Sequence, residues 1–272
     1  MKFTVLMSIY KNEDAKHLDC AMQSIWDDQD VKPDEIVLVQ DGPLPDALHQ
    51  KIDSWRVKLG NVFAVAILKE NVGLGTALNE GLKHCSNELI ARMDTDDIAL
   101  PNRFEKQLAV FDNNDVDVCG AWIGEFGSDD TQINSYRRVP EHHDEVVRFA
   151  KSRSPVNHPS VMYKKEAVLR VGGYINQRSI EDYHLWVKMI IDGAKFYNIQ
   201  EALVNMRTGS GQLEVRRGGL HHAKIEAGLQ TMFYKMGFLS FFEFVRNVVV
   251  GFIMRVLPNK LMKMAFKLIR RL

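Results

Sequence analysis

The sequence predicts an α/β protein with a parallel, Rossmann-like sheet, followed by a C-terminal helical extension that is basic and amphipathic. Three observations lead to this prediction. Short apolar runs alternate with helical patterns, the first four runs end in polar residues, and the composition changes after Arg216. Hydrophobic residues make up 46% of the 272 positions and charged residues 26%, which is typical of a globular chain with a sizeable core.

The first four apolar runs are short and compact, as expected of buried strands. The strands are predicted at residues 3–9, 35–39, 62–68 and 89–93, and the helices between them at 17–26, 48–59 and 76–85. Strands that alternate with helices in this way form right-handed βαβ units. The alternation therefore predicts a parallel sheet.

Polar residues gather at the ends of these four strands. They are Asn12 and Glu13, Asp41, Asn71 and Gly73, and Asp94 and Asp96. Ligands of parallel α/β sheets bind beyond the carboxyl ends of the strands, at the point where the strand order reverses. The repetition predicts a nucleotide-type ligand in residues 1–100.

The stretch 89–101, LIARMDTDDIALP, places three carboxylates within four positions: Asp94, Asp96 and Asp97. Three acids at a strand end repel one another and lose hydration, and a cation lowers that cost. Oxygen ligands suit Mg²⁺ or Mn²⁺. For this motif alone a solvated acidic loop is the alternative, because Asp is common in turns. The neighbouring polar strand ends favour the metal site.

Residues 101–212 are predicted to complete one catalytic domain that spans residues 1–212. The predicted elements are a strand at 117–126, its hairpin partner at 132–139, helices at 140–151 and 165–171, and a last strand at 195–204. Residues 206–212, MRTGSGQ, are predicted to form a glycine-bearing loop.

This half holds two further candidate positions. Glu181 and Asp182 fall in the first turn of a helix whose apolar face includes Leu185 and Trp186. Acids at this place either complement the helix dipole or act in the site. His158, in the stretch PVNHPSVM, is either structural or a site residue.

Other nucleotide-binding classes fit less well. A dinucleotide dehydrogenase needs G-x-G-x-x-G after its first strand, and this turn reads YKNEDA. A Walker A motif is absent from the sequence. A sugar nucleotidyltransferase needs a basic phosphate-binding loop after the first strand, where Lys11 is the only basic residue.

Residues 213–272 are predicted to form a helical extension at a membrane surface. Residues 234–272 carry eight Lys or Arg and one acid, a net charge of +7 in a chain whose total is zero. No stretch of 18 residues is uncharged and apolar, so a spanning helix is not expected. A basic amphipathic helix lies in the interface, with its basic side toward anionic lipid. Packing on the catalytic body or on a partner is the alternative.

The cysteines and the N-terminus bear on location. Three cysteines at wide spacing match no disulfide framework and indicate a reducing compartment. The chain begins with a strand pattern and not with a signal-peptide layout. We therefore expect a peripheral protein at the cytoplasmic face of the plasma membrane. Nucleic acid is not an expected partner, because large aliphatic residues interrupt the basic stretch.

Several segments, in this order, resemble the family 2 glycosyltransferases, which are inverting enzymes of the GT-A (nucleotide-diphospho-sugar transferase) fold. The segments are VLMSIYKNE, EIVLVQDGP, NVGLGTALNEGL, ARMDTDD, NHPSVMYKKEAVLRVGGY, IEDYHLWVKM and MRTGSGQ, which together span roughly residues 1–212. Within the family the chain is most similar to bacterial enzymes that build O-antigen, capsule or exopolysaccharide repeat units.

The resemblance implies roles for the donor-site residues. Tyr10, Asn12 and Glu13 would bind the nucleotide base, together with Asp41, which would accept a hydrogen bond from the ring N–H of uracil. The resemblance also maps Asp94 to the nucleotide sugar. The polar strand ends add Asn71 and Gly73 as expected contacts, and Arg92 is expected to supply a fixed positive charge.

The resemblance also implies a metal site and a catalytic base. Asp94 would face the ribose or the metal, and Asp96 would be the main metal ligand, a role that Asp97 could share. Asp182 is the implied general base, and Glu181 and His158 are expected on the acceptor side. Many members carry a histidine soon after the arginine of the loop beyond the last strand. Here Arg207 is followed by TGSGQ, so a third protein ligand stays open, with His221 and His222 as candidates.

The expected function is transfer of a hexose or N-acetylhexosamine from a nucleotide sugar to a lipid-linked saccharide. Asp41 favours a UDP-sugar, and Mn²⁺ or Mg²⁺ is the expected cofactor. The alternatives are a non-catalytic scaffold of the same fold in a membrane synthesis complex and a sugar nucleotidyltransferase.

Overall fold

A mixed sheet of nine strands organises residues 1–208 and 219–256, the part of the chain that the computed structural model describes. The strands are β1 (Phe3–Ile9), β2 (Glu35–Gln40), β3 (Phe63–Ile67), β4 (Leu89–Arg92), β5 (Ile98–Ala99), β6 (Val118–Phe126), β7 (Ile133–Arg137), β8 (Met162–Lys164) and β9 (Phe196–Arg207).

Nine α-helices accompany the strands in the same described ranges. They are α1 (Ala15–Trp26), α2 (Asp46–Leu59), α3 (Leu74–His84), α4 (Arg103–Asn113), α5 (His143–Ala150), α6 (Lys165–Arg170), α7 (Glu181–Ile191), α8 (Leu220–Lys235) and α9 (Phe241–Val256). The helices and strands that the sequence predicts in the first half all form, and their ends lie within two residues of the predicted ends.

The first four strands are parallel and lie in the order β3–β2–β1–β4. This confirms the parallel sheet predicted for residues 1–100. Strand β1 pairs with β2 on one side and with β4 on the other, so the strand order reverses beside β1. Crevices for ligands open at such a reversal, beyond the carboxyl ends of the strands.

The second half of the sheet is mixed. Strand β8 is antiparallel to β4 and β6, β9 is parallel to β6, and β7 forms the predicted antiparallel hairpin with β6. The short strands β5 and β8 are not predicted by the sequence. Strand β9 continues to Arg207, so the prediction that the loop begins at residue 206 is wrong. Residues 209–212 of that predicted loop lie outside the described residues.

Two apolar layers cover the two faces of the parallel strands. Met7 packs with α1, α2 and α4 on one face, whereas Leu6 packs with α3, α6 and α7 on the other. Both faces are buried, and the strands are therefore almost continuously apolar. A rigid sheet of this kind holds the polar residues at its strand ends in fixed positions.

Helices α8 and α9 pack on the outside of α7. The ring of Tyr183 on α7 lies edge-on to Phe233 of α8, with 4.9 Å between the ring centroids. A separate apolar cluster joins the three helices and contains Ile180, Tyr183, Val187, Leu229, Phe233 and Leu239. Within the described residues, no helix combines the length and the apolar character that crossing a membrane requires.

Candidate active site

A cavity of about 280 Å³ lies at the carboxyl ends of the parallel strands. The sequence-predicted site residues that line it are Tyr10, Glu13, Asp41, Asn71, Gly73, Asp94, Asp96 and Glu181. They come from four strand ends and from the first turn of α7. The fold therefore brings together residues that are up to 171 positions apart in the sequence.

Asp41 joins the end of β2 to the turn between β3 and α3. Its carboxylate accepts hydrogen bonds from Asn71 Nδ2 (2.9 Å), from the Val72 N–H (2.7 Å) and from the Gly73 N–H (3.1 Å). A carboxylate offers about four acceptor sites, and these bonds occupy three of them. Asp41 thus holds the glycine turn in place and keeps one acceptor site for a further donor.

The three acids after β4 form a compact cluster. One carboxylate oxygen from each of Asp94, Asp96 and Asp97 lies within 4.8 Å of the others. Asp94 and Asp96 line the cavity, whereas Asp97 is buried behind them. Asp97 Oδ1 accepts the Arg207 N–H at 2.8 Å, and its Oδ2 has no hydrogen-bond partner in the described part of the chain.

Burial and mutual repulsion raise the pKa values of the acids around the cavity. Burial, followed by the charge of Asp94, raises the pKa of Asp96 to about 6 and that of Asp97 well above its usual range. Burial, with the charges of Asp96 and Asp94, raises the pKa of Glu13 to about 7. Negative charge is costly here. The all-oxygen donor set and the unpartnered oxygen of Asp97 fit a hard divalent cation such as Mg²⁺ or Mn²⁺.

Arg92, which is expected to contact the donor, does not line the cavity. Its side chain is 2% exposed, and its guanidinium forms an ion pair with Asp94. Asp94 lies between this cation and the cavity. The guanidinium thus holds the Asp94 carboxylate in place, and a contact between Arg92 and the donor stays a prediction.

His158 is buried and is not among the residues that line the cavity. Its Nε2 is hydrogen-bonded to the Tyr174 hydroxyl at 3.1 Å, and its ring packs against Trp186. Burial, with the nearby Arg92 cation, lowers the pKa of His158 well below its usual range. These surroundings are typical of a structural histidine, and the expected role of His158 on the acceptor side stays a prediction.

The acidic pair of α7 has one member in the cavity. Glu181 lines the cavity, its carboxylate accepts the Ile180 N–H at 2.9 Å, and burial raises its pKa. Asp182 is half-buried beside it in the same helical turn and is not among the lining residues. Asn12 is exposed in the turn after β1, also outside the lining. His221 and His222, at the start of α8, do not line the cavity either.

The loop before α7 supplies cavity residues that the sequence analysis missed. Asn176, Gln177 and Arg178 line the cavity, and Arg178 is the only cation among its described lining residues. The loop lies against the glycine turn of α3, where a Cβ added to Gly75 would overlap the carbonyl oxygen of Ile175. The polar run NQRS beside the acidic pair was the available signal. The position of this loop over the glycine turn of α3 depends on tertiary packing, which the local sequence does not show.

Comparison with known sequences places the chain in one family. The model of the family described as "Glycosyl transferase family 2" matches residues 4–172. A relative from Escherichia coli, named UDP-Gal:alpha-D-GlcNAc-diphosphoundecaprenol beta-1,3-galactosyltransferase, is 38% identical over 271 residues. The match covers 99% of this chain and 97% of the relative. The amylovoran biosynthesis glycosyltransferase AmsE of Erwinia amylovora is 33% identical, with 97% of this chain and 98% of AmsE covered.

Comparison with solved structures agrees with the fold. TarS residues 1–349 of S. aureus, solved in complex with UDP-GlcNAc, has a TM-score of 0.66 and 19% identity, and the match covers 94% of this chain and 72% of that structure. The mannosyltransferase PcManGT of Pyrobaculum calidifontis, solved with GDP-Man and Mn²⁺, has a TM-score of 0.64 and 17% identity, with 93% and 69% covered. The chain belongs to glycosyl transferase family 2 and is a glycosyltransferase of the GT-A fold.

Proposed function

We propose that the protein transfers a hexose or N-acetylhexosamine from a UDP-sugar to a lipid-linked saccharide, with inversion, in cell-surface polysaccharide synthesis. One observation carries the proposal. Asp96 after β4 and Glu181 in the first turn of α7 line the same cavity as Asp41. Candidate ligands for a metal, one member of the acidic pair and an acceptor for a nucleobase N–H thus share one opening, and Asp182 lies next to Glu181 in the same helical turn.

The donor is proposed to lie across the ends of β1, β2 and β4. The acceptor site that remains on Asp41 suits the ring N–H of uracil, a group that cytosine lacks. The diphosphate is placed near Gly73 and the first N–H groups of α3, because a helix N-terminus attracts anions. Arg178, in the loop that lies against this glycine turn, supplies a cation to the same cavity.

Asp94 and Asp96 are the proposed ligands of Mn²⁺ or Mg²⁺. Such an ion, when bound, acts as a Lewis acid that neutralises the diphosphate leaving group. The Arg92 guanidinium fixes the Asp94 carboxylate, and the Arg207 N–H fixes the Asp97 carboxylate behind it. These contacts hold the acidic cluster in place before the donor binds.

Asp182 is the proposed general base for the transfer. It takes the proton of the acceptor hydroxyl while that oxygen attacks the anomeric carbon. The bond between the anomeric carbon and the diphosphate oxygen breaks, and UDP leaves with the electron pair. One direct displacement inverts the anomeric centre, so an α-linked donor gives a β-linkage. A positioned base contributes about 10²–10⁴-fold to such a step.

A lipid-linked acceptor is proposed from the closeness of the relatives. The name of the E. coli relative specifies UDP-Gal as donor, an undecaprenol diphosphate-linked GlcNAc as acceptor and a β-linkage as product. Coverage of 97% of that relative includes its C-terminal part. We propose the same acceptor class here, reached by a peripheral protein at the cytoplasmic face of the membrane. Three free cysteines agree with a reducing compartment.

The test is a panel of UDP-, GDP- and dTDP-sugars, assayed for hydrolysis and for transfer to GlcNAc-diphosphate-lipid. We expect UDP-hexose turnover that requires Mn²⁺ or Mg²⁺ and is lost with EDTA. Asp96→Ala should lose the metal-dependent activity, and Asp53→Asn on the exposed side of α2 should retain it. A wild-type protein that binds UDP-sugars but never cleaves them would support the scaffold alternative, and formation of a nucleotide sugar from a sugar phosphate would support the nucleotidyltransferase.

A further inference from the structure

Helix α9 exposes apolar side chains along one side, which is unusual for a surface helix of a soluble domain. Such helices bury their apolar stripe and expose their polar residues. Among the described side chains of α9, the exposed ones are Phe241, Phe242, Val245, Arg246, Val249, Val250, Phe252 and Ile253. Seven of these eight are apolar, and Phe242 is 84% exposed.

The opposite side of α9 is fixed to the body of the protein by Phe244, which packs on the cluster of α7 and α8, and by several polar contacts. Glu243 accepts two bonds from Lys151 Nζ at 2.8 and 3.0 Å. Asn247 Nδ2 donates to the carbonyl of Lys151 (2.6 Å) and to Gln230 Oε1 (2.9 Å). Gly251 lies against the Glu226 side chain of α8. These bonds set the rotation of α9 about its axis, so the apolar side points outward as part of the fold.

The apolar surface continues onto α8. Tyr234 is 41% exposed, and its ring contacts those of Phe244 and Phe241, with centroids 5.2 and 6.3 Å away. We call the exposed apolar residues of α9, together with Tyr234, the outer face. Contiguous apolar surface on one side of a helix pair marks an interaction site.

We infer that the outer face docks in the plane of an anionic lipid bilayer. The inference rests on the proposed function for the presence of a lipid-linked acceptor, and it assigns the contact to particular residues. The sixteen described residues of α9 span about 24 Å, less than the hydrocarbon core of about 30 Å, and one side of the helix is fixed to α8 and to Lys151. A helix held along one side in this way lies along the interface instead of crossing it.

Charge favours lipid over a second copy of the chain as the occupant. Among the described exposed side chains of α9, Arg246 is the only charged one. The sequence then continues with five Lys or Arg and no acid in residues 257–272. Two copies that met through this face would bring these cations together, whereas anionic headgroups would neutralise them.

Docking at this face would place the acceptor side of the site close to the membrane. Helix α8 joins α9 to α7 through the cluster that contains Ile180, Tyr183 and Phe233. Ile180 immediately precedes Glu181, which lines the cavity. The outer face is therefore separated from the acidic pair by one layer of helix packing, which suits an acceptor whose sugar stays attached to a membrane lipid.

Vesicle co-sedimentation of the full chain tests the inference. The vesicles are phosphatidylcholine alone and phosphatidylcholine mixed with phosphatidylglycerol. The test variant is Val249→Glu/Ile253→Glu, whose targets are 50% and 51% exposed. The matched control is Val57→Glu/Ile67→Glu, on α2 and β3, whose targets are 87% and 65% exposed.

We expect wild type and the control to sediment with the phosphatidylglycerol vesicles, and the test variant to bind at least about ten-fold more weakly. Metal-dependent hydrolysis of the UDP-sugar in solution should be unchanged in both variants, which separates this inference from the proposed function. Equal vesicle binding by the test variant would overturn the inference. A second result would also overturn it: wild type does not bind vesicles but forms a dimer in analytical ultracentrifugation, and the test variant does not form that dimer.

Discussion

At the scale of single residues, neighbouring acids have different proposed roles because their surroundings differ. Asp94 and Asp96 face the cavity, whereas Asp97, one position further on, is buried and accepts the Arg207 N–H at 2.8 Å. Glu181 faces the cavity, and Asp182 is half-buried in the same turn. All of these residues carry a carboxylate, so we expect the effect of substituting each one to depend on its surroundings.

The base assignment predicts a separation of donor binding from transfer. Asp182→Asn should bind the UDP-sugar as wild type does and should transfer at least about 10²-fold more slowly, because only the proton acceptor is lost. Glu181→Gln serves as the comparison, and we expect it to change the KM for the donor or the acceptor as well as the rate of transfer. Isothermal titration gives the affinity and single-turnover assays give the rate. Near-normal transfer by Asp182→Asn would remove the assignment.

Arg178 should contribute to donor affinity through charge. It is exposed, lines the cavity, and forms no ion pair with another described residue. Arg178→Gln should weaken UDP-sugar binding by about ten-fold or more, because a hydrogen bond to a charged group is worth about 1.5–3 kcal/mol. Arg56→Gln, on α2, is the control with an exposed arginine elsewhere. Equal donor affinity in all three proteins would show that the diphosphate lies away from this wall.

At the scale of elements, close backbone contacts and polar tethers decide how helices and loops sit against the sheet. The glycine turn at the start of α3 touches the loop before α7, and α9 is tied to the end of α5 through Lys151. Both contacts join segments that are distant in sequence. We therefore expect a substitution at either contact to change the free energy of unfolding or the Tm.

Two glycine substitutions should change stability in opposite directions. Gly75→Ala adds a Cβ that overlaps the Ile175 carbonyl, so we expect a loss of about 1–3 kcal/mol in the free energy of unfolding. Gly228→Ala, inside α8, meets nothing within 4 Å and should gain about 0.5–1 kcal/mol, because alanine favours the helix. Denaturant unfolding measures both, and equal effects would contradict the packing of the loop on the turn.

The contact between Glu243 and Lys151 should make stability depend on pH in acid. The Lys151 ammonium and the Ser240 N–H lower the pKa of Glu243 from 4.5 to about 2. A depressed folded-state pKa stabilises the fold above the unfolded pKa, and the stabilisation is lost as the pH falls from about 4.5 to about 2. The Tm of wild type should therefore fall more steeply than that of Glu243→Gln over this range. Parallel Tm curves would rule out the contribution.

At the scale of the whole molecule, the C-terminal helices belong to the same packed body as the acceptor side of the site. Leu239 and Phe238, beyond α8, reach the cluster that includes Tyr183 of α7. An extension beginning at residue 213 was predicted as a separate segment. That division stays a prediction, and the contacts of α8 with α7 bear on how it should be tested.

Two truncations should behave differently. Removal of residues 257–272 leaves every described contact in place, so we expect an unchanged Tm and weaker binding to anionic vesicles. Removal of residues 234–272 takes away Leu239 and the Glu243–Lys151 pair and exposes the cluster on α7, so we expect a lower Tm and reduced solubility. Thermal melts distinguish the two. A fully stable protein after the longer truncation would show that α9 is dispensable for the fold.

Local patterns in the sequence were sufficient for the parallel half of the fold and for most of the cavity. Buried strands such as β1 and β4 are recognisable because both of their faces are apolar, and polar residues stand out where such strands stop. The β6–β7 hairpin was predictable for a similar reason, since its strands adjoin in sequence. The short strands β5 and β8 were not, because their pairing partners are remote in the chain.

The sequence by itself determined the α/β class, the family, and the acids that line the cavity, because periodicity and motif order are local properties of a chain. Only the tertiary structure decided which of the candidate residues face the cavity. It placed Arg92 and His158 behind the wall, brought Arg178 over the glycine turn, and turned the apolar side of α9 outward. Orientation of this kind follows from packing between distant segments, which spacing along one segment does not encode.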